Sequence, residues 1–74
     1  MYHFFAEHEN IFDDYIDIRG GDVNHIKNVI RLKPGDEVLI SSGDNYDYHC
    51  VIDTISDDVV RSRITEVFLP HHHL

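Results

Sequence analysis

His25-Ile26-Lys27-Asn28-Val29-Ile30-Arg31-Leu32-Lys33-Pro34-Gly35-Asp36 passes from a helix through a tight turn into a strand, and its reading decides the fold. At about 100° per residue, Val23, Ile26, Val29 and Ile30 fall within one arc, which must face a core. Asn24, Lys27, Asn28 and Arg31 fall on the opposite side, with His25 at the boundary. The pattern predicts a helix over 22–32, with Asp22 capping it by accepting from the free N–H groups of the first turn. Pro34 cannot continue the helix, disfavours helical geometry at Lys33, and makes a turn with Gly35.

Working outward, Gly20-Gly21 separates this helix from Tyr15–Arg19, where Tyr15, Asp17 and Arg19 alternate with Ile16 and Ile18 as in a half-buried strand. Tyr2–Ala6 is short and aromatic, which suits a first strand, and the acidic stretch Glu7–Asp14 reads as a solvated loop. Downstream, Glu37–Ser41, Tyr46–Ile55 and Val59–Phe68 are strand-like, with turn chemistry at Ser42-Gly43-Asp44-Asn45 and Ser56-Asp57-Asp58. Evenly spaced short strands with one helix predict a mainly β fold, a small closed barrel with the helix covering an opening. Seventy-four residues allow one domain, expected over 1–68. Residues 69–74, with His71-His72-His73, read as a native tail or an added tag.

Charge narrows the functional classes. The chain carries 6 Lys and Arg against 14 Asp and Glu, a net −8 that opposes long-range attraction to nucleic acid. The exception is residues 19–33, where Arg19, Lys27, Arg31 and Lys33 face only Asp22. Any phosphate contact is expected there. No apolar run approaches the length of a membrane span and no basic-then-apolar leader opens the chain, so a cytoplasmic location with no membrane partner is expected.

Little else suggests chemistry. Cys50 stands alone in a strand and is expected to be a small core residue, which excludes an internal disulfide. His49 beside Cys50 points to the opposite face of its strand, and no His-x-x-x-His or Cys-x-x-Cys spacing occurs, so no metal site is expected. Phe4, Phe5, Tyr46 and Tyr48 are expected to fill the core, leaving Tyr2 and Tyr15 outside. Arg61 and Arg63 are expected to face outward and balance Asp47 or Asp53 on a neighbouring strand.

Three segments together resemble the ribosomal RNA small-subunit methyltransferase E family. His3-Phe4-Phe5 is similar to its opening aromatic strand. Ile18-x-Gly20-x-Asp22-x-x-His25-Ile26, continued by Asn28 through Asp36, resembles its central helix and turn. Ser42-Gly43 and Tyr48 resemble the strand-turn-strand that follows, although Asp44-Asn45 stands where the family usually has another glycine. The resemblance implies an amino-terminal PUA-like barrel that docks on 16S ribosomal RNA in the small ribosomal subunit. It implies a parent protein in which a further, carboxy-terminal methyltransferase domain binds S-adenosylmethionine, forms a homodimer and methylates a uridine at N3. In this chain no Gly-rich cofactor loop is present, so no cofactor and no catalytic residue are expected within it.

By charge alone the stripe with Lys27 and Arg31 reads first as a solvated helix face. The resemblance turns Arg19, Asn24, His25, Lys27, Asn28, Arg31 and Lys33 into expected RNA contacts. Arg31 and Lys33 would pair with phosphates, and Asn28 and His25 would reach a sugar hydroxyl or an unstacked base. His25 has the equal alternative of bonding a backbone carbonyl at the edge of the core, and Arg19 reads either way. The alternative function is a protein-interaction barrel whose acidic surfaces at 7–17 and 44–58 meet its own methyltransferase domain or another protein without touching RNA.

Overall fold

The computed structural model describes residues 1–69, so most of the expected tail lies outside the described residues. Strand β1 spans Tyr2–Phe5 and β2 spans Tyr15–Arg19, joined through a 3₁₀ turn at His8–Asn10. A short helix α1, Gly21–Asn24, continues directly into a π-helical turn, His25–Val29. Strands β3 (Glu37–Ser41), β4 (Asp47–Ile55) and β5 (Val59–Phe68) complete the chain. The expected strands are therefore present, and the mainly β architecture with one short helical segment is confirmed.

The strands form one curled sheet in the order β1-β3-β4-β5-β2. β1 runs parallel to β3, and the other pairs are antiparallel. β1 and β2 are the two edges, so the barrel is a half-barrel whose strands do not close through a β1–β2 ladder. Its concave side holds Phe4, Ile16, Ile18, Ile40, Cys50, Ile52 and Val60, and Val23 and Ile26 of the helical segment plug the core from the open side. Removal of these apolar side chains from water is the main favourable term in so small a domain.

Two local features set the helix in place. Gly20 has φ 79° and ψ −148°, a region open essentially to glycine, and this reverses the chain at the end of β2. Lys33-Pro34-Gly35-Asp36 is a tight turn closed by Asp36 N–H to Lys33 C=O at 3.0 Å, with Gly35 at φ 100°. Proline followed by a positive-φ glycine is the signature of a type II turn.

The helix differs from its expected form at both ends. Gly20, not Asp22, is the N-cap, and no side chain caps the first turn. Asp22 instead places its carboxylate within that turn, where the helix dipole favours it. The helix also ends earlier than Leu32. Ile30 N–H bonds His25 C=O at 3.0 Å and Leu32 N–H bonds Ile26 C=O at 2.9 Å, while Arg31 turns left-handed at φ 53°. The wider i→i−5 turn advances less per residue, which keeps Ile30 against the core and swings Val29 out to 61% exposure. Val29 is thus not a core residue. Phe5 is a second correction: it lies on the outer face of edge strand β1 and is 54% exposed, whereas Phe4 is buried.

Candidate nucleic-acid interface

The helical segment presents a polar face, and the structure divides its residues into two groups. Asn24, Lys27 and Asn28 line an open cleft with Gly20, Val23, Asp57 and Asp58. Asn28 Nδ2 donates to Asn24 Oδ1 at 2.7 Å, the one-turn spacing at which helical side chains meet. Lys27 Nζ donates to Asp57 Oδ1 at 3.0 Å. This side of the helix therefore already holds an anion, and its two amides already satisfy one another.

Arg31 and Lys33 lie beyond the helix and do not line the cleft. Both are exposed, and neither makes an ion pair among the described residues. Their charges follow the carboxy-terminal end of the helical segment, where cations complement the dipole. A side chain pays for the left-handed conformation of Arg31 with about 1–2 kcal/mol of steric cost, so this position normally favours glycine. His25 is exposed rather than set at the core edge. Arg19 ends β2, with Nη2 3.8 Å from Asp17 Oδ2.

Residues that sequence reasoning assigned elsewhere complete the cationic surface. Arg61 hydrogen-bonds Asp17, with Nε to Oδ1 at 3.0 Å and Nη2 to Oδ2 at 3.3 Å, and the expected partner Asp53 adds only a weaker charge attraction. The cause is register: Asp17 pairs with Arg61 across β2 and β5, and Tyr15 pairs with Arg63. Hydrogen bonding to Asp17 raises the Arg61 pKa above its ordinary value. Arg61 also lies 4.2 Å above the centroid of Tyr15, which stacks on Phe12 at 4.6 Å. The alternation of Tyr15, Asp17 and Arg19 against Arg61 and Arg63 was the available signal, but only strand pairing shows that they share one face.

Among the described residues no activated nucleophile is assembled. On the outer face of β1, β3 and β4, His3 Nε2 meets Ser41 Oγ at 2.5 Å and Ser41 Oγ donates to Asp47 Oδ1 at 2.5 Å. The serine hydroxyl thus stands between a carboxylate that accepts its proton and an imidazole nitrogen that donates or accepts according to its tautomer, not in a line where a base alone takes the proton. Cys50 is enclosed in the core, and burial pushes its thiol up to about 11 against a smaller opposing effect of the hydrogen bond with Ser62. Burial likewise raises the Tyr48 pKa, with help from Tyr46, Asp44 and Cys50. Among the described residues no group of three His, Cys, Asp or Glu side chains could hold a metal ion, and no helix is long and apolar enough to cross a membrane.

Comparison with known proteins accords with this geometry. Residues 18–65 match the family model of the RNA methyltransferase PUA domain. The chain is 35% identical over 49 residues to ribosomal RNA small subunit methyltransferase E of Bacillus subtilis, covering 66% of this chain and 19% of that protein. A crystal structure of ribosomal RNA small subunit methyltransferase E from Neisseria gonorrhoeae bound to S-adenosyl methionine has the same fold (TM-score 0.73, 19% identity, 92% of this chain and 28% of that one). So does a predicted RNA methyltransferase of Thermotoga maritima (TM-score 0.82, 18% identity, 100% of this chain and 32% of that one). The chain thus spans about a fifth of its curated relative and under a third of these solved structures. The family model takes in the end of β2 with Arg19, the helical segment, the Pro-Gly turn and most of β5, elements that carry much of the cationic surface, and the chain belongs to the RNA methyltransferase PUA domain family.

Proposed function

We propose that this domain docks ribosomal RNA for an S-adenosylmethionine-dependent methyltransferase that modifies a uridine of 16S rRNA at N3. The observation that carries the reading is Arg31: an arginine held left-handed at a helix end, exposed and without an ion pair among the described residues. Backbone strain retained under a free cation is a pointer to a ligand contact. In this reading Arg31 and Lys33 bind phosphates first. Asn24, Asn28 and His25 offer donors and acceptors to sugar hydroxyls and splayed bases. Lys27 joins once Asp57 is displaced, and Arg19 adds charge from the neighbouring strand end.

Three or four phosphate contacts give weak, salt-sensitive binding. A parent protein with a further methyltransferase domain, working as a homodimer in the cytoplasm, would gain affinity by linking two such sites. That further domain would hold the methyl donor and perform the transfer. Exposed Phe5 and Phe68 flank Ser41 and Asp47 on one row of the sheet, and this supports a second reading in which the domain packs on another domain or protein.

The test is an NMR titration of the labelled chain with a 16S rRNA fragment, first at low and then at physiological salt. Amide shifts at Asn24–Lys33 that fade with salt are expected. No shift at low salt would remove direct RNA docking and favour the second reading.

A further inference from the structure

The loop before β2 is fixed at three points. Phe12 N–H bonds Tyr15 C=O at 2.9 Å, Ile11 bridges Ile16, and Ile64 N–H bonds Asp14 C=O at 2.9 Å. These contacts hold the Phe12 ring against Tyr15 with an interplanar angle of 21°. Arg61 covers Tyr15 as well, and two groups this close to one ring centroid must take its opposite faces. The result is a stack of Arg61, Tyr15 and Phe12. Phe12, at the far end, is 42% exposed.

On its strand side this stack is flanked by cations. Arg19, Arg61 and Arg63 share the outer face of β2 and β5, half of all Lys and Arg in an acidic chain. Asp17 is buried beneath Arg61 and Arg19, so their guanidinium groups stand outside it, with exposed Asp53 near enough to attract Arg61. Arg63 sits opposite Tyr15 in the ladder and has no ion pair among the described residues.

We propose that this face is a platform for single-stranded RNA, on which an unstacked base lies on the open face of Phe12 and the adjoining phosphates pair with Arg63 and Arg19. The proposal rests on the RNA-docking reading and adds a second contact surface to the helix end. Single-stranded RNA fits because an open aromatic face accepts any base, whereas bases within a duplex are already stacked. Guanidinium forks suit phosphate oxygens. Exposed Asp13 and Asp14 beside Phe12 repel the backbone from the loop side and so direct it over the strands. Arg61 is tied to Asp17 and serves to position the stack.

The chain has no tryptophan, so Phe12→Trp introduces one fluorophore at the site. A short oligoadenylate is expected to quench it at low salt, while inorganic polyphosphate, which has no bases, is expected to leave it unchanged. Phe12→Leu, which keeps an apolar side chain without an aromatic face, is expected to weaken oligoadenylate binding about 5- to 150-fold, the range for loss of one base stack. Its melting temperature, measured in parallel, shows whether the fold is intact. Arg63→Gln is expected to lower the salt dependence by about one phosphate contact. Absence of quenching and of weakening, with RNA still shifting amides at Asn24–Lys33, would overturn the platform and leave the helix-end docking in place. Absence of any response at either surface would overturn both.

Discussion

Lys27 Nζ lies 3.0 Å from Asp57 Oδ1, so the helix face is tied to the β4–β5 turn by an ion pair spanning 30 residues of sequence. The carboxylate occupies the place a phosphate would take. Asp57 is 98% exposed, and such surface pairs are worth about 0–1 kcal/mol. Releasing Lys27 with Asp57→Asn is therefore expected to raise affinity for an rRNA fragment by up to about 5-fold at low salt. Fluorescence anisotropy checks this, with Asp44→Asn as a variant of equal net charge. Equal gains from both would mean that overall charge, not the pair, limits binding.

Arg31 separates stability from binding. At φ 53° a glycine would relieve strain, although its greater freedom in the unfolded chain offsets part of the gain. Arg31→Gly is expected to stabilise the fold by about 0.5–1 kcal/mol in urea unfolding and to weaken RNA binding. A variant that is both less stable and unchanged in binding would remove Arg31 from the interface.

The π-helical turn makes neighbouring apolar residues unequal. Ile26 is fully buried, and Ile26→Ala is expected to cost about 2–5 kcal/mol. Val29 is 61% exposed, so Val29→Ser is expected to change stability by under about 0.5 kcal/mol. A large loss from Val29→Ser would show a regular α-helix in place of the π turn.

Asp17 is buried under Arg61 and accepts two hydrogen bonds from it. Arg61→Met would keep the cover and remove the donors, leaving a desolvated carboxylate. Its thermal midpoint is expected to fall further than that of Asp17→Asn, whose side chain can still accept from Arg61. The reverse order in calorimetry would mean that the guanidinium acts mainly by packing.

Cys50 predicts behaviour in alkali. Its pKa is raised by burial from 9.0 to about 11, so the fold prefers the protonated thiol. Its contribution should be complete below pH 9 and lost as pH rises through about 11. The stability difference between the chain and Cys50→Ala, followed by denaturant unfolding, is expected to stay flat to pH 9 and then narrow. At neutral pH a thiol reagent should label Cys50 only as fast as the chain opens.

The strands, the Gly20 break, the Pro34-Gly35 turn and the cationic block at 19–33 were legible because each depends on residues adjacent in sequence. Alternation decides which side of a strand is apolar, and proline and positive-φ glycine act on their own backbone. Helix periodicity located Val23 and Ile26 in the core but failed at Val29, because a π turn forms where hydrogen bonding and packing at the helix end favour it. Phe5 shows the same limit: whether an outward aromatic is covered depends on what lies across the sheet edge. The candidate interface was legible only as a list of charges. Which of them are free was decided by partners far away in sequence, Asp57 for Lys27 and Asp17 for Arg61, and by the β2–β5 register that brings Arg63 beside Tyr15. Composition and local pattern determined the elements and their apolar faces; only the folded chain decided the ion pairs, because charges 30 or 44 residues apart meet through tertiary packing.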